Sequence, residues 1–475
     1  MEKDRKVFND PIHGNIELHP LCVRIVDTPQ FQRLRFIKQL GGAYFVYPGA
    51  AHNRFEHSIG VCHLAGRLVR ALKEKEFEDL EEKFKITPAD ILCVEVAGLC
   101  HDLGHGPFSH LFDKTIIPKL RKEKWEHENG SVDMFRYMLK VNDGLQEEFE
   151  KQGITSKDRT FIEELIVTLK PEELRKEWKY KGRPKEKGFL YEIVSNKRNG
   201  IDVDKWDYFA RDCHMLGIGN NFNHNRCIAF ARVIDVDVDG ERERQICYRN
   251  KEAANLYDMF HTRYLLHNRA YQHKTNNIIE YMISEALVLA NDFITFPGQN
   301  GKQRKMSEAI DDMEAYSLLN DGVIYNILGS RSSDSNMIKS KNILLRVLRR
   351  DLYKLVGEKR FAHNTFKDET DVKKDIGNVT SDTEDGNTII DLVNLNYGKK
   401  DMNPIDFVNF YSKEEPDKAE PRHKEDVSLL LPKDFAEQLV RVYCKDPKFY
   451  TSVKERFDNW SKNTLKRAKK QKMSK

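Results

Sequence analysis

The sequence predicts a mainly α fold with one small β-hairpin and a C-terminal α+β lobe, and three observations carry that prediction. From about residue 53 to 232, and again from 255 to 290, apolar residues recur at helical spacing. One stretch, RVIDVDVDGERERQICYR (232–249), alternates on both sides of an Asp239-Gly240 turn and reads as a hairpin. After about 325 the texture changes to shorter mixed segments, including strand-like TIIDLVNLNY and DFVNFYS. A chain of 475 residues exceeds one ordinary domain. The expected division is a core over 1–325, a smaller lobe over 326–460 and a basic, disordered tail over 461–475.

Taken in order, residues 1–50 mix short apolar pieces with turn formers and predict one helix at TPQFQRLRFIKQL (28–40). The first long helix lies in SIGVCHLAGRLVRALKEKE (58–76), where Val61, Leu64, Ala65, Leu68 and Leu72 share a stripe. ITPADILCVEVAGLCHDLG (86–104) starts at a Thr-Pro signal with Asp90 in its first turn and is apolar on nearly every side, as befits a buried central helix. Helical spacing resumes at NLYDMFHTRYLLHNRAYQHKTNNIIEYMISEALVLA (255–290). The polar run KRFAHNTFKDETDVKKDIGNVTSDTEDGN (359–387) is expected to be a mobile loop.

Composition excludes several classes. Lys+Arg 79 against Asp+Glu 75 leaves a net charge of only +4, which does not by itself call for nucleic acid. The 8 cysteines show no CxxC pair, so reduced thiols rather than a zinc knuckle are expected. The N-terminus has no apolar h-region and no 18-residue apolar run occurs, which argues against secretion and membrane insertion.

The densest chemistry is LCHDLGHGPFSH (99–110): a buried helix runs into His101-Asp102, with His105 and His110 close behind. Burying imidazoles and a carboxylate together is costly without a partner, and a metal ion offsets that cost. His57 precedes Val61 by one turn and therefore points inward with the apolar stripe. Arg54, one turn earlier, places a guanidinium where it suits phosphate oxygens. Asp204 is followed at i+4 and i+7 by Tyr208 and Arg211, with Asp212 at the flank. Taken alone, an HD pair is more often a hydrogen-bonded helix cap, an inward histidine more often a satisfied core residue, and the Asp204 face reads also as a solvated charged face.

Together, His57, His101-Asp102 and Asp204 resemble the H…HD…D ligand pattern of HD-superfamily phosphohydrolases. Longer strings, including KVFNDPIHG, DTPQFQRLRFIKQLGG, HNRFEHSIG, AGLCHDLGHGPFSH, NKRNGIDVDKWDYFARDCH and NPIDFVNFYSK, resemble the animal SAM-and-HD-domain dNTP triphosphohydrolases over nearly the whole chain. The resemblance implies an HD-domain helical core whose metal ligands are His57, His101, Asp102 and Asp204, with zinc, iron and manganese all open. It implies hydrolysis of a dNTP to deoxynucleoside and inorganic triphosphate, limiting dNTP pools with an antiviral role as a further consequence. His110 and His127 match the candidates for general acid, Asp113 and Glu128 the carboxylates orienting them, and His105 a catalytic and triphosphate-contacting position. Arg54, Lys205 and Tyr271 match further triphosphate contacts. Gln39, Leu40, Tyr208 and Asp212 match the sugar-binding wall, and His110 and Arg263 also count with the substrate-contacting residues.

Activator positions follow from the same resemblance. Lys6, Val7, Asp27, Gln32 and Arg35 match a site for GTP or dGTP, which Arg350 and Lys354 reach from another subunit. Asn9, Val46, Tyr47, Arg226, Arg249, Lys251, Asn255, Arg263, His273, Lys274 and Lys445 match a second, dNTP-binding activator site. A homotetramer assembled by nucleotides, with Mg accompanying them, is the implied active form.

The sequence also departs from the family. Only five residues precede Lys6, so no SAM domain is expected here, and the Thr-Pro pairs fall at 28–29 and 87–88 rather than near the C-terminus. Cys247 and Cys444 match two of a proposed redox trio, and Ile234 stands at the third position. The main alternative is a protein that binds or cleaves single-stranded nucleic acid, but interleaved aromatic and basic platforms are not evident. A silent regulator would not need every ligand intact, and a cyclic-nucleotide phosphodiesterase would carry the missing HD-GYP signature. KRAK at 466–469 keeps both nucleus and cytoplasm open as locations.

Overall fold

The computed structural model describes residues 5–76, 80–376, 386–422 and 424–473. Its centre is a pair of packed helices, Arg54–Lys73 and Pro88–Cys100. The first begins where Glu56 Oε1 accepts the Asn53 backbone N–H at 2.7 Å. The second begins at a reciprocal cap, with Thr87 Oγ1 accepting from Asp90 and Asp90 Oδ2 accepting from Thr87. The stripe Val61, Leu64, Ala65, Leu68 and Leu72 is fully buried, as is Leu92 to Cys100 with its polar exception, Glu95, paired to Arg70. Helices Ser156–Ile166 and Val203–Leu216 pack against this pair, and His127–Val141, Ala253–Leu266 and Lys274–Ala290 extend the same core. None of the described helices is long and apolar enough to cross a membrane, and all eight cysteines are unpaired and buried.

The hairpin forms where the alternation places it, as Ala231–Val238 antiparallel to Glu241–Arg249, with Asp239 and Gly240 both at positive φ. DFVNFYS supplies strand Asn409–Tyr411, which adds parallel to Glu241–Arg249 rather than joining the C-terminal sheet. That sheet has Ala436–Cys444 at its centre, antiparallel to Lys354–Ala362 on one side and Thr388–Asn396 on the other. A second hairpin, Lys6–Asp10 with Gly14–Leu18, opens the fold.

Several expectations need correction. The helix expected over 28–40 is two short pieces, α over Pro29–Gln32 and 3₁₀ over Arg33–Phe36, because Arg33 turns inward to donate to the carbonyls of Leu319, Leu103 and His105. The main core does not stop at 325: Met337, Leu344 and Val347 of helix Ser335–Leu348 belong to it, and a separate cluster runs from Val356 to Trp460. Within the expected loop, strand Lys354–Ala362 reaches past 359 and Glu369–Ile376 is helical, with Val372 buried in that second cluster. Residues 377–385 of that loop lie outside the described residues. The expected disordered tail is instead the end of helix Tyr450–Met473, with Ser461 and Thr464 buried. Apolar positions Val453, Phe457 and Trp460 give that helix a face to bury, which its basic composition hides.

Candidate active site

His57 and His101 are set by the two central helices, and in each the Nδ1 edge is taken by protein. His57 Nδ1 lies 2.7 Å from Asp207 Oδ2, and His101 Nδ1 lies 2.8 Å from the Gly98 carbonyl. Since a carboxylate and a carbonyl can only accept, both rings carry their proton on Nδ1 and aim the Nε2 lone pair inward. Asp102 and Asp204 converge on the same point. His57 Nε2 is 3.1 Å from Asp204 Oδ1 and 3.5 Å from Asp102 Oδ2, while His101 Nε2 is 3.3 Å from Asp102 Oδ1 and 3.5 Å from Asp204 Oδ1. These approaches lack hydrogen-bond geometry, so both Nε2 atoms are buried without a hydrogen-bond partner. His57, His101 and Asp102 bring ligand atoms together as a donor set that suits a divalent metal ion, with Asp204 Oδ1 beside them, and His105, His110 and His127 form a second such group.

Electrostatics follow from that crowding. Burial lowers the pKa of His57, yet the carboxylates of Asp204, Asp207 and Asp102 beside it outweigh that cost and lift the imidazole to about 10. His101 is raised as well, because Asp102 and Asp204 overcome the cost of burial. Burial pushes Asp102 and Asp204 up, but Arg54 beside the first and the two histidines beside the second hold both below the usual carboxylate range. The site thus favours positive charge at its centre, whether protons or a metal supply it.

A second group of histidines adjoins the first, with His105 Nε2 3.3 Å from Asp102 Oδ1. His105 and His127 stack at 3.9 Å between ring centroids, and His110 meets them edge-on at 5.1 and 5.2 Å. His127 Nδ1 is 2.8 Å from Asp113 Oδ2 and 3.3 Å from Glu128 Oε2, and His110 Nδ1 is 3.5 Å from Asp113 Oδ1. Burial holds His105 well below its ordinary value. The loop carrying these groups is tied from several sides: Tyr316 donates to the Gly104 carbonyl, Ser131 to the His101 carbonyl, and Asp321 accepts from Phe108 N–H. Phe108 and Ser109 sit at φ of 60° and 56°, so those tethers hold a strained turn. Gly104 has no room for a side chain: a Cβ there would lie 2.1 Å from the His127 carbonyl oxygen.

The expected substrate residues gather in part. Arg54 is buried and donates to Asp102 Oδ2, Ser109 Oγ and the Gln39 carbonyl, and Gln39 keeps a buried Oε1 without a partner. Leu40 follows at the start of 3₁₀ helix Gly41–Phe45. Tyr208 meets the His57 ring edge at 6.4 Å, and Asp212 is held by His52 at 2.7 Å and by the Tyr271 hydroxyl. Lys205 instead pairs with Asp202, and Arg263 donates to Asn396, so a phosphate contact from either requires those pairings to open.

The expected activator residues fall into distinct groups. Lys6 pairs with Asp27 at 3.1 Å, Arg35 donates to Gln32 Oε1, and Val7 stands exposed on the same hairpin, as does Asn9. Arg350 donates to the Phe45 carbonyl beside Val46, and Lys354 pairs in register with Cys444. Arg226, Arg249 and Lys251 surround the Phe230 ring, and Asn255 bonds Asn223. Tyr47 packs on His273 at 5.9 Å, the Lys274 carbonyl accepts from Tyr443, and Lys445 pairs with Glu285.

Sequence reasoning missed Asp207, His13, His52 and Arg33. Asp207 was visible only as one more acid in DVDKWDYFARD, and its place three residues after Asp204 and four before Arg211 is the signal that could have found it.

Comparison with known proteins adds the family. The HD domain matches residues 54–212, a span that contains all four convergent residues. The chain is 53% identical over 472 residues to the deoxynucleoside triphosphate triphosphohydrolase SAMHD1 of Gallus gallus, covering 96% of this chain and 75% of that one. Identity to the Homo sapiens protein of that name is 53% over 471 residues, covering 96% and 73%. For the Bos taurus protein it is 52% over 471 residues, covering 96% and 78%. With its convergent His-Asp cluster inside the matched domain, this chain belongs to the SAMHD1 family of deoxynucleoside triphosphate triphosphohydrolases.

Proposed function

We propose that this chain hydrolyses a deoxynucleoside triphosphate at the α-phosphorus, releasing the deoxynucleoside and intact inorganic triphosphate. The observation that supports this reading best is the pair of inward, partnerless Nε2 atoms of His57 and His101 facing Asp102 and Asp204, beside a row of three histidines. These four residues would hold a zinc, iron or manganese ion, which when bound would supply the charge to acidify a water near neutral pH and to polarise a phosphoryl oxygen.

The chain's own residues carry the rest. Arg54 lies against Asp102 with its guanidinium oriented by Ser109 and Gln39, so it is positioned to meet a phosphate oxygen without reorganising. As the water oxygen bonds to phosphorus, the bond to the 5′-oxygen breaks and that oxygen needs a proton. Either His127 or His110 supplies it: Asp113 orients His127 through Nδ1 with Glu128 beside it, and His110 Nδ1 lies 3.5 Å from Asp113 Oδ1. His105, with both ring nitrogens unpartnered, offers a hydrogen bond to the triphosphate. Lys205 and Tyr271 join it on the phosphates. Gln39, Leu40, Tyr208 and Asp212 form the sugar wall, where a packed Tyr208 leaves no space for a ribose 2′-hydroxyl.

Activation belongs to the same proposal. GTP or dGTP at the Lys6, Asp27, Gln32 and Arg35 face, and a dNTP with Mg at the Val46, His273 and Arg249 positions, bridge subunits and assemble a homotetramer. Ion-exchange analysis of products tests the chemistry: triphosphate and deoxynucleoside in equal amounts support it, and stepwise release of phosphate or pyrophosphate contradicts it. Size exclusion with GTP and dNTP tests the assembly, for which full turnover by a nucleotide-free monomer is the contrary result.

A further inference from the structure

We infer that Asp207 is a positioning residue for the metal centre, and that His13, in the turn of the N-terminal hairpin, is part of the support that holds it. The inference rests on the reading of His57 as a metal ligand and extends it to residues outside the ligand pattern.

Asp207 is completely buried and each of its oxygens takes two donors. Oδ2 lies 2.7 Å from His57 Nδ1 and accepts from Arg211 Nε at 2.9 Å. Oδ1 lies 2.7 Å from His13 Nε2 and accepts from Arg211 Nη2 at 2.8 Å. Arg211 in turn donates through Nη1 to Asp10 Oδ2, and Asp10 Oδ1 accepts the N–H groups of Ile12 and His13. The whole chain of groups is dry, with side-chain exposures of 0% for Asp207, 1% for Arg211 and 2% for His13. Gly60 leaves it the room it needs, since a Cβ there would lie 1.9 Å from Asp207 Oδ1.

This arrangement does two things for His57. It fixes the proton on Nδ1, leaving Nε2 as the free lone pair, and it sets the ring plane so that the lone pair points at Asp102 and Asp204. A charged carboxylate is required for this. Because both oxygens face guanidinium donors, an amide in either orientation would set its N–H against Arg211 and leave a donor unpaired. The turn over residues 10–14 therefore reaches the metal ligand through two hydrogen bonds, although it lies more than forty residues before His57 in sequence.

The test is titration of the metal-stripped full chain with Mn²⁺, followed by electron paramagnetic resonance, for wild type, Asp207→Asn, His13→Ala and His101→Ala, with circular dichroism reporting the fold. Asp207→Asn is expected to weaken Mn²⁺ binding about 10- to 100-fold. His13→Ala is expected to weaken it by a smaller factor while keeping the wild-type dichroism spectrum, and excess Mn²⁺ should restore turnover. Should Asp207→Asn fail to fold, His13→Ala carries the test alone. Wild-type Mn²⁺ affinity in folded His13→Ala and Asp207→Asn overturns the inference. Absence of Mn²⁺ binding by wild type, or equal binding by His101→Ala, instead overturns the metal-centre reading on which it depends.

Discussion

Two histidine groups lie side by side, with His105 Nε2 of one 3.3 Å from Asp102 Oδ1 of the other, and they are built differently. In the first, His57 and His101 each commit Nδ1 to a buried protein acceptor and turn Nε2 toward two ionised carboxylates. In the second, His105, His110 and His127 lean mainly on one another and on Asp113, and the His110 side chain is about half exposed. Carboxylates raise the pKa of the first pair, whereas burial lowers that of His105. On the proposed reading the same side chain serves as a ligand where its Nδ1 is locked by a buried acceptor and its Nε2 faces carboxylates. On that reading it serves as a proton-handling group where Asp113 and Glu128 stand beside its Nδ1 edge.

The largest effect that could break this comparison is loss of the first group. His101→Ala is expected to reduce dNTP turnover by about 10³-fold or more in a steady-state assay, because the metal's several kcal/mol are lost with it. His127→Ala should cost about 10²-fold in kcat, the scale of a general acid. Equal losses in the two variants would erase the distinction. Asp113→Ala should cost about tenfold, since His127 stays but loses a charged hydrogen bond of about 1.5 kcal/mol. The smallest effect is on selectivity: Tyr208→Ala is expected to narrow the dNTP/NTP ratio of kcat/KM by about tenfold. An unchanged ratio would remove the steric account of the sugar wall.

Some of this was legible in the sequence for definite reasons. The apolar stripe from Val61 to Leu72 and the Asp239-Gly240 turn announce helix and hairpin because period and turn chemistry are local signals. His57 could be read as inward for the same reason. What could not be read is long-range. Arg33 abandons a regular helix to satisfy three distant carbonyls, and Asn409–Tyr411 joins a sheet whose other long strands lie more than 150 residues earlier. The end of the chain misled because charge dominates its composition while Val453, Phe457 and Trp460 at helical spacing decide its packing. Asp207 escaped notice because its partners, His13 and His57, are distant in sequence and meet only in the fold.

The division of labour between the two histidine groups is tested most directly by measuring bound metal per chain in His101→Ala and His127→Ala beside wild type, using elemental analysis of the purified proteins. The account predicts that His101→Ala loses the metal and that His127→Ala retains it at the wild-type ratio while turning over poorly. Metal lost from both variants alike would contradict it, and would make the five histidines a single metal-binding group.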